Sequence, residues 1–93
     1  MNETMLIIED EPKVSRLARD YLEQGGFRVL LAVDGLTGLA MARHEHPDLI
    51  VLDLMLPGLD GIELLKKVRE LAPAVDVILM TAYDDMSTVV RAM

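Results

Sequence analysis

The chain has 93 residues, 52% of them hydrophobic, and a formal net charge of −7. That length makes one small domain over residues 1–93, and seven Met, two Tyr, one Phe and no Trp make its core aliphatic. The acidic balance argues against nucleic-acid or membrane-surface binding by this segment, and zero Cys excludes disulfides and thiolate metal sites and fits a reducing cytoplasm. Met1-Asn2-Glu3-Thr4 lacks the basic start of a signal peptide, and no run approaches the roughly 18–20 apolar residues of a membrane helix.

Thr4-Met5-Leu6-Ile7-Ile8 is a first apolar run that stops abruptly at Glu9-Asp10-Glu11, which predicts a strand and then an acidic loop. Pro12 suits a first helical turn. Val14, Leu17, Ala18, Tyr21 and Leu22 recur at helical spacing through residue 24, where Gly25-Gly26 ends the helix. Residues 27–32 predict a second strand, and Asp34-Gly35 a turn. Leu36, Leu39, Ala40 and Arg43 mark a helical face that runs to about residue 46, ahead of Pro47.

Leu49-Ile50-Val51-Leu52 has no 3.6-residue period and is bounded by Pro47 and by Pro57-Gly58, the pattern of a strand buried on both faces; Asp53 closes it. After a loop over 54–60, Asp60 with Glu63 resembles a capping box. Ile62, Leu65, Val68, Leu71 and Ala72 then predict a third helix, broken by Pro73. Residues 75–80 predict a fourth strand. Met86, Val89, Val90 and Met93 open a fourth helix. Lys66, Lys67 and Arg69 read as a solvated helix face, and His44 and His46 as surface residues at a helix end. Strict alternation of strand and helix implies right-handed crossovers and a parallel sheet with helices on both faces.

In such a sheet the carboxyl ends of the strands share one edge, where open α/β sheets place their ligands. Strand 1 ends in Glu9-Asp10, strand 3 in Asp53 and strand 4 in Thr81. If strands 1, 3 and 4 are neighbours, these four residues meet. Three clustered carboxylates repel one another, and a hard divalent cation such as Mg2+ relieves the conflict with oxygen ligation. A carboxylate beside such a cation can attack phosphorus and form an acyl phosphate, with the cation and a nearby hydroxyl stabilising the equatorial oxygens.

Three stretches together resemble the receiver domain of two-component response regulators: residues 6–12 (Leu-Ile-Ile-Glu-Asp-Glu-Pro), residues 48–61 around Asp53, and residues 78–82 (Ile-Leu-Met-Thr-Ala). The resemblance implies a flavodoxin-like doubly wound fold with strand order 2-1-3-4. It implies that Asp53 is the phospho-acceptor for a sensor histidine kinase, that Asp10 binds Mg2+ directly and Glu9 through a water, and that Met55 offers its backbone carbonyl. Thr81 would be the switch hydroxyl, Ala82 would keep the pocket open, and Pro57 and Gly61 would shape the loop after strand 3.

Against the family pattern the chain lacks a fifth strand and helix, and with them the lysine and the aromatic residue of strand 5. Strand 4 is then expected to be an open apolar edge, with homodimerisation through that edge or through exchange of the terminal helix. The function expected is Mg2+-dependent phosphoryl acceptance that switches a transcriptional output, in the manner of a regulator rather than an enzyme. The alternative is a truncated, phosphorylation-incompetent receiver fragment that acts in protein–protein interaction. A phosphatase using Asp53 would need a general acid two residues further on, and that position is Met55. Residues 83–93 resemble receivers of enhancer-binding transcriptional activators.

Overall fold

The structure is a computed structural model and describes residues 3–53 and 61–80. Their element order is β1 (Thr4–Ile8), α1 (Pro12–Gln24), β2 (Arg28–Ala32), α2 (Gly35–Glu45), β3 (Leu49–Asp53), α3 (Gly61–Leu71) and β4 (Asp76–Met80). The predicted fourth helix and the Asp60 cap lie outside the described residues. All described strands are parallel, in the order β2-β1-β3-β4, as expected.

β1 is central and buried along its whole length, which explains a run with no polar alternation. It is latched to β3 at its start: Thr4 N donates to Asp48 Oδ2 at 2.8 Å, and Asp48 N donates to Thr4 O at 2.8 Å. The register pairs Ile8 with Leu52, and Leu6 with both Leu30 and Ile50. Side chains alternate across the sheet. Leu6, Ile8, Ile50, Leu52, Val77 and Leu79 therefore share one face, where they pack with Ala42 of α2 and Leu64, Leu65 and Val68 of α3. Ile7, Val51 and Ile78 are in register on the opposite face, the side of α1. Helices thus flank both faces, the doubly wound arrangement.

The helix boundaries have local causes. Glu11 caps α1, its Oε1 accepting from Lys13 N at 3.2 Å, and Pro12 takes the first turn. Gly26 follows α1 at φ 93°, a left-handed conformation that glycine adopts without strain. Asp34 caps α2, with Oδ1 accepting from Thr37 N at 2.7 Å; that bond holds its carboxyl below the usual range. α2 ends on His46, which adopts the left-handed conformation at φ 48° just before Pro47.

Two predicted helix faces differ from the packing. On α1, the buried contact is made by Ser15 with half-buried Ala18 and Leu22, while Val14, Leu17 and Tyr21 are exposed. On α2, Gly35, Gly38 and Ala42 turn inward, and Leu36, Ala40 and Arg43 are exposed. The reason is close approach: a Cβ on Gly38 would stand 2.5 Å from Ile8 Cδ1 and 2.7 Å from Cγ1, so only glycine lets the helix sit so near β1. Arg69 is also more than a solvated residue. Its Nη1 donates to Val75 O at 2.7 Å and fastens α3 to the start of β4.

Candidate metal and phosphoryl site

Glu9 and Asp53 are brought together by sheet register. Ile8 pairs with Leu52, so the next residue of each chain stands at the same level and on the same face. Glu9 N continues the ladder by donating to Ala32 O at 3.0 Å, which fixes the direction of its side chain. Asp10 follows in the turn before α1. One carboxylate oxygen from each of Glu9, Asp10 and Asp53 lies within 4.8 Å of the others.

The third acidic residue of the run behaves differently. The carboxylate of Glu11 is spent on the α1 cap, and its backbone N–H donates to Glu9 Oε1 at 3.3 Å. The sequence sets Glu9 and Asp10 at the strand end, and the capping geometry gives Glu11 a separate, structural role. Within the described residues, every member of the acidic cluster was identified from the strand ends, and none was missed.

The three carboxyls differ in exposure. Asp10 is exposed, Asp53 half-buried, and Glu9 only 6% exposed. Burial, a hydrogen bond to the Asp53 carboxyl and the Asp53 charge together push Glu9 up to about 7. Without a cation, burial and the neighbouring Asp53 charge thus favour the protonated form of Glu9. An all-oxygen, multiply anionic donor set with one solvent-facing side fits a hard divalent cation that keeps part of its water shell.

Met80 is in register with Asp53 at the end of β4, and Thr81 is the next residue in sequence. Thr81, Ala82, Met55 and Pro57 lie outside the described residues. Gly61 is buried at the start of α3. The opposite edge of the sheet carries a cavity of about 440 Å³ between the end of α2 and the α3–β4 connection, with Asp48 in its wall. The Asp48 carboxylate is already engaged by Thr4, and the acidic cluster is at the other edge.

The family model of the response regulator receiver domain matches residues 5–93. The chain is 36% identical over 89 residues to sporulation initiation phosphotransferase F of Bacillus subtilis, covering 96% of this chain and 72% of that protein. It is 42% identical over 85 residues to the alkaline phosphatase synthesis transcriptional regulatory protein PhoP of the same organism, covering 91% of this chain and only 35% of that protein. Among solved structures, a Burkholderia pseudomallei response regulator with a phosphorylated aspartic acid, a calcium ion and citrate superposes with a TM-score of 0.87 at 26% identity. That likeness covers 98% of this chain and 54% of the other.

Proposed function

The chain belongs to the response regulator receiver domain family, whose function is phosphoryl acceptance, and on that footing we propose that Asp53 is the residue it phosphorylates. The observation that carries this reading is the convergence of Glu9, Asp10 and Asp53 at the carboxyl edge of β1 and β3. The phosphodonor in this proposal is the phosphohistidine of a sensor kinase. An Asp53 oxygen attacks phosphorus, an acyl-phosphate bond forms, the P–N bond breaks, and its electron pair returns to the imidazole.

Receiver domains bind a divalent metal, and here Mg2+ is proposed. Asp10 and Asp53 would hold it directly, Glu9 through a water, and Met55 through its carbonyl. When bound, it supplies positive charge next to the oxygens of the transferred group. Glu9 stands next to Asp53 in the cluster, so a water held by its carboxylate would lie beside the attacking carboxylate. Thr81, following the residue in register with Asp53, is proposed as the hydroxyl that turns to the phosphoryl group.

A transcriptional output in a cytoplasmic protein completes the reading. It is supported by relatives such as PhoP, of which this chain spans about a third. Self-association is a separate part of the proposal. β4 is an edge strand among the described strands, and its Ile78 is exposed, which favours pairing with another chain.

The test is incubation with Mg2+ and a small-molecule phosphodonor, read by intact mass. The expected result is one added phosphoryl group in the parent chain, absent in Asp53→Asn and strongly reduced in Asp10→Asn. No phosphoryl adduct on the parent, or an undiminished adduct on Asp53→Asn, overturns the assignment. A parent that binds Mg2+ but takes no phosphoryl group supports the phosphorylation-incompetent interaction module instead.

A further inference from the structure

The sheet edge away from the acidic cluster holds a hollow of its own. The cavity of about 440 Å³ between the last turn of α2 and the α3–β4 connection is walled mostly by apolar groups. Ala42, Pro47 and Val75 there are buried, and Leu71 and Ala72 half-buried. A second cavity of about 330 Å³ continues along the groove between α2 and α3, and Arg43 and Leu71 belong to both walls. Small-molecule sites run from about 300 to 1,000 Å³, so the larger cavity alone is of sufficient size.

The charges of the groove narrow the ligand. Elsewhere on the chain, Arg19, Arg28 and Lys66 pair with carboxylates, and Arg69 is held by Val75 O. Arg43 of α2 and Lys67 of α3 line the second cavity from its two helices, and neither has an ion-pair partner among the described residues. Two unpaired cations beside an apolar hollow form a local anion site on a chain of net charge −7. A single negative charge suits it best. Glu70 lines the same groove, and α2 and α3 both end at the larger cavity with partially negative C-termini, so a second negative charge is opposed. The planar fork of Arg43 matches a carboxylate in shape.

We infer that the α2–α3 groove is a binding site for a small monocarboxylate with an apolar body. The carboxylate lies between Arg43 and Lys67, and the hydrocarbon part enters the larger cavity against Ala42, Leu71, Ala72 and Val75. Burial of the apolar part supplies most of the affinity, and the charge-assisted bonds to Arg43 supply orientation. Asp48 takes no part, because its carboxylate is held by Thr4 N. The site is at the edge opposite Glu9, Asp10 and Asp53, so its failure would leave the assignment of Asp53 untouched.

The experiment is a proton–nitrogen correlation NMR titration of the 93-residue chain with octanoate, beside octanol and octylamine, which share its apolar body. Octanoate is expected to shift the amides of Arg43, Leu71, Ala72 and Val75, with a dissociation constant of about 1 mM, the weak affinity of a small ligand in an open groove. Octanol is expected to bind about fivefold more weakly or worse, and octylamine no better than octanol. Arg43→Gln and Lys67→Gln are each expected to weaken octanoate about threefold or more, whereas Glu70→Gln strengthens it about twofold, because it removes an opposing charge. All three residues are exposed, and the dispersion of the same spectra shows whether each variant is folded. The inference is overturned if octanoate leaves these amides unmoved, or moves only those of other surfaces such as the exposed side of α1. Equal binding of octanol and octanoate, or variants that all bind like the parent, removes the carboxylate from the proposal and overturns it as stated.

Discussion

At Glu9, burial and catalytic layout pull in opposite directions. The carboxyl is raised from 4.5 to about 7 by its buried position and by Asp53. The folded chain therefore holds that proton more tightly than the unfolded chain does. The stabilisation is complete below about pH 4.5 and is lost as pH rises through about 7. Metal ligation has the opposite sign, because it draws on the deprotonated form. In metal-free buffer, the parent is expected to lose about 1–3 kcal/mol from this group between pH 5 and pH 8. Glu9→Gln, which keeps the hydrogen-bonding shape without the ionisation, should flatten that slope. The stabilisation by Mg2+ should grow over the same interval in the parent and stay flat in Glu9→Gln. Denaturant melts at several pH values, with and without Mg2+, read both effects; equal slopes for parent and variant would remove Glu9 as their source.

At the scale of elements, α2 is held by what it lacks. Gly38→Ala gains about 1 kcal/mol of helix propensity. It also drives a methyl group into Ile8, which is fully buried and stiff at χ1, and whose Cδ1, Cγ1 and Cγ2 all lie within 3.1 Å of the new atom. Overpacking of this kind costs about 1–3 kcal/mol, so the net expectation is destabilisation seen as a lower melting temperature. His46→Gly should act the other way. It relieves a left-handed residue at the end of α2 and is expected to raise stability by about 0.5–1 kcal/mol. These two positions also show what sequence could and could not disclose. The parallel strands were legible, because apolar runs such as Leu6-Ile7-Ile8 and Leu49–Leu52 carry no helical period, whereas their order was implied by the family resemblance and not by the runs themselves. The acidic cluster was legible too, since parallel strands end on a common edge. The inward faces of α1 and α2 were not legible. Periodicity detects apolar residues, yet α2 buries two glycines and α1 leaves Leu17 and Tyr21 in solvent. The assignment of Glu9 and Asp10, without Glu11, to the cluster was legible in the sequence, but the role of Glu11 as the α1 cap was not, since it rests on one bond that composition does not encode.

At the scale of the whole molecule, 16 acidic against 9 basic residues give the chain a field that repels its own compaction. Any salt relieves that field, whereas a specific cation acts at one place, and the two contributions can be separated. Sodium chloride at about 0.15 M shortens the Debye length to about 8 Å and is expected to stabilise the parent, Asp10→Asn and Asp53→Asn alike. Millimolar Mg2+ added on top of that salt has little long-range repulsion left to screen. A further rise in melting temperature can then come only from binding to the native state, which contributes about 2.7 kcal/mol at a hundred times the dissociation constant. That second rise is expected in the parent and absent in Asp10→Asn, whose carboxylate belongs to the cluster. Ca2+ should substitute in part, since the donor set is all oxygen and open on one side. If Mg2+ and an equal ionic strength of sodium chloride shift parent and variants by the same amount, the cation acts on the net charge, and the three carboxylates are not its site.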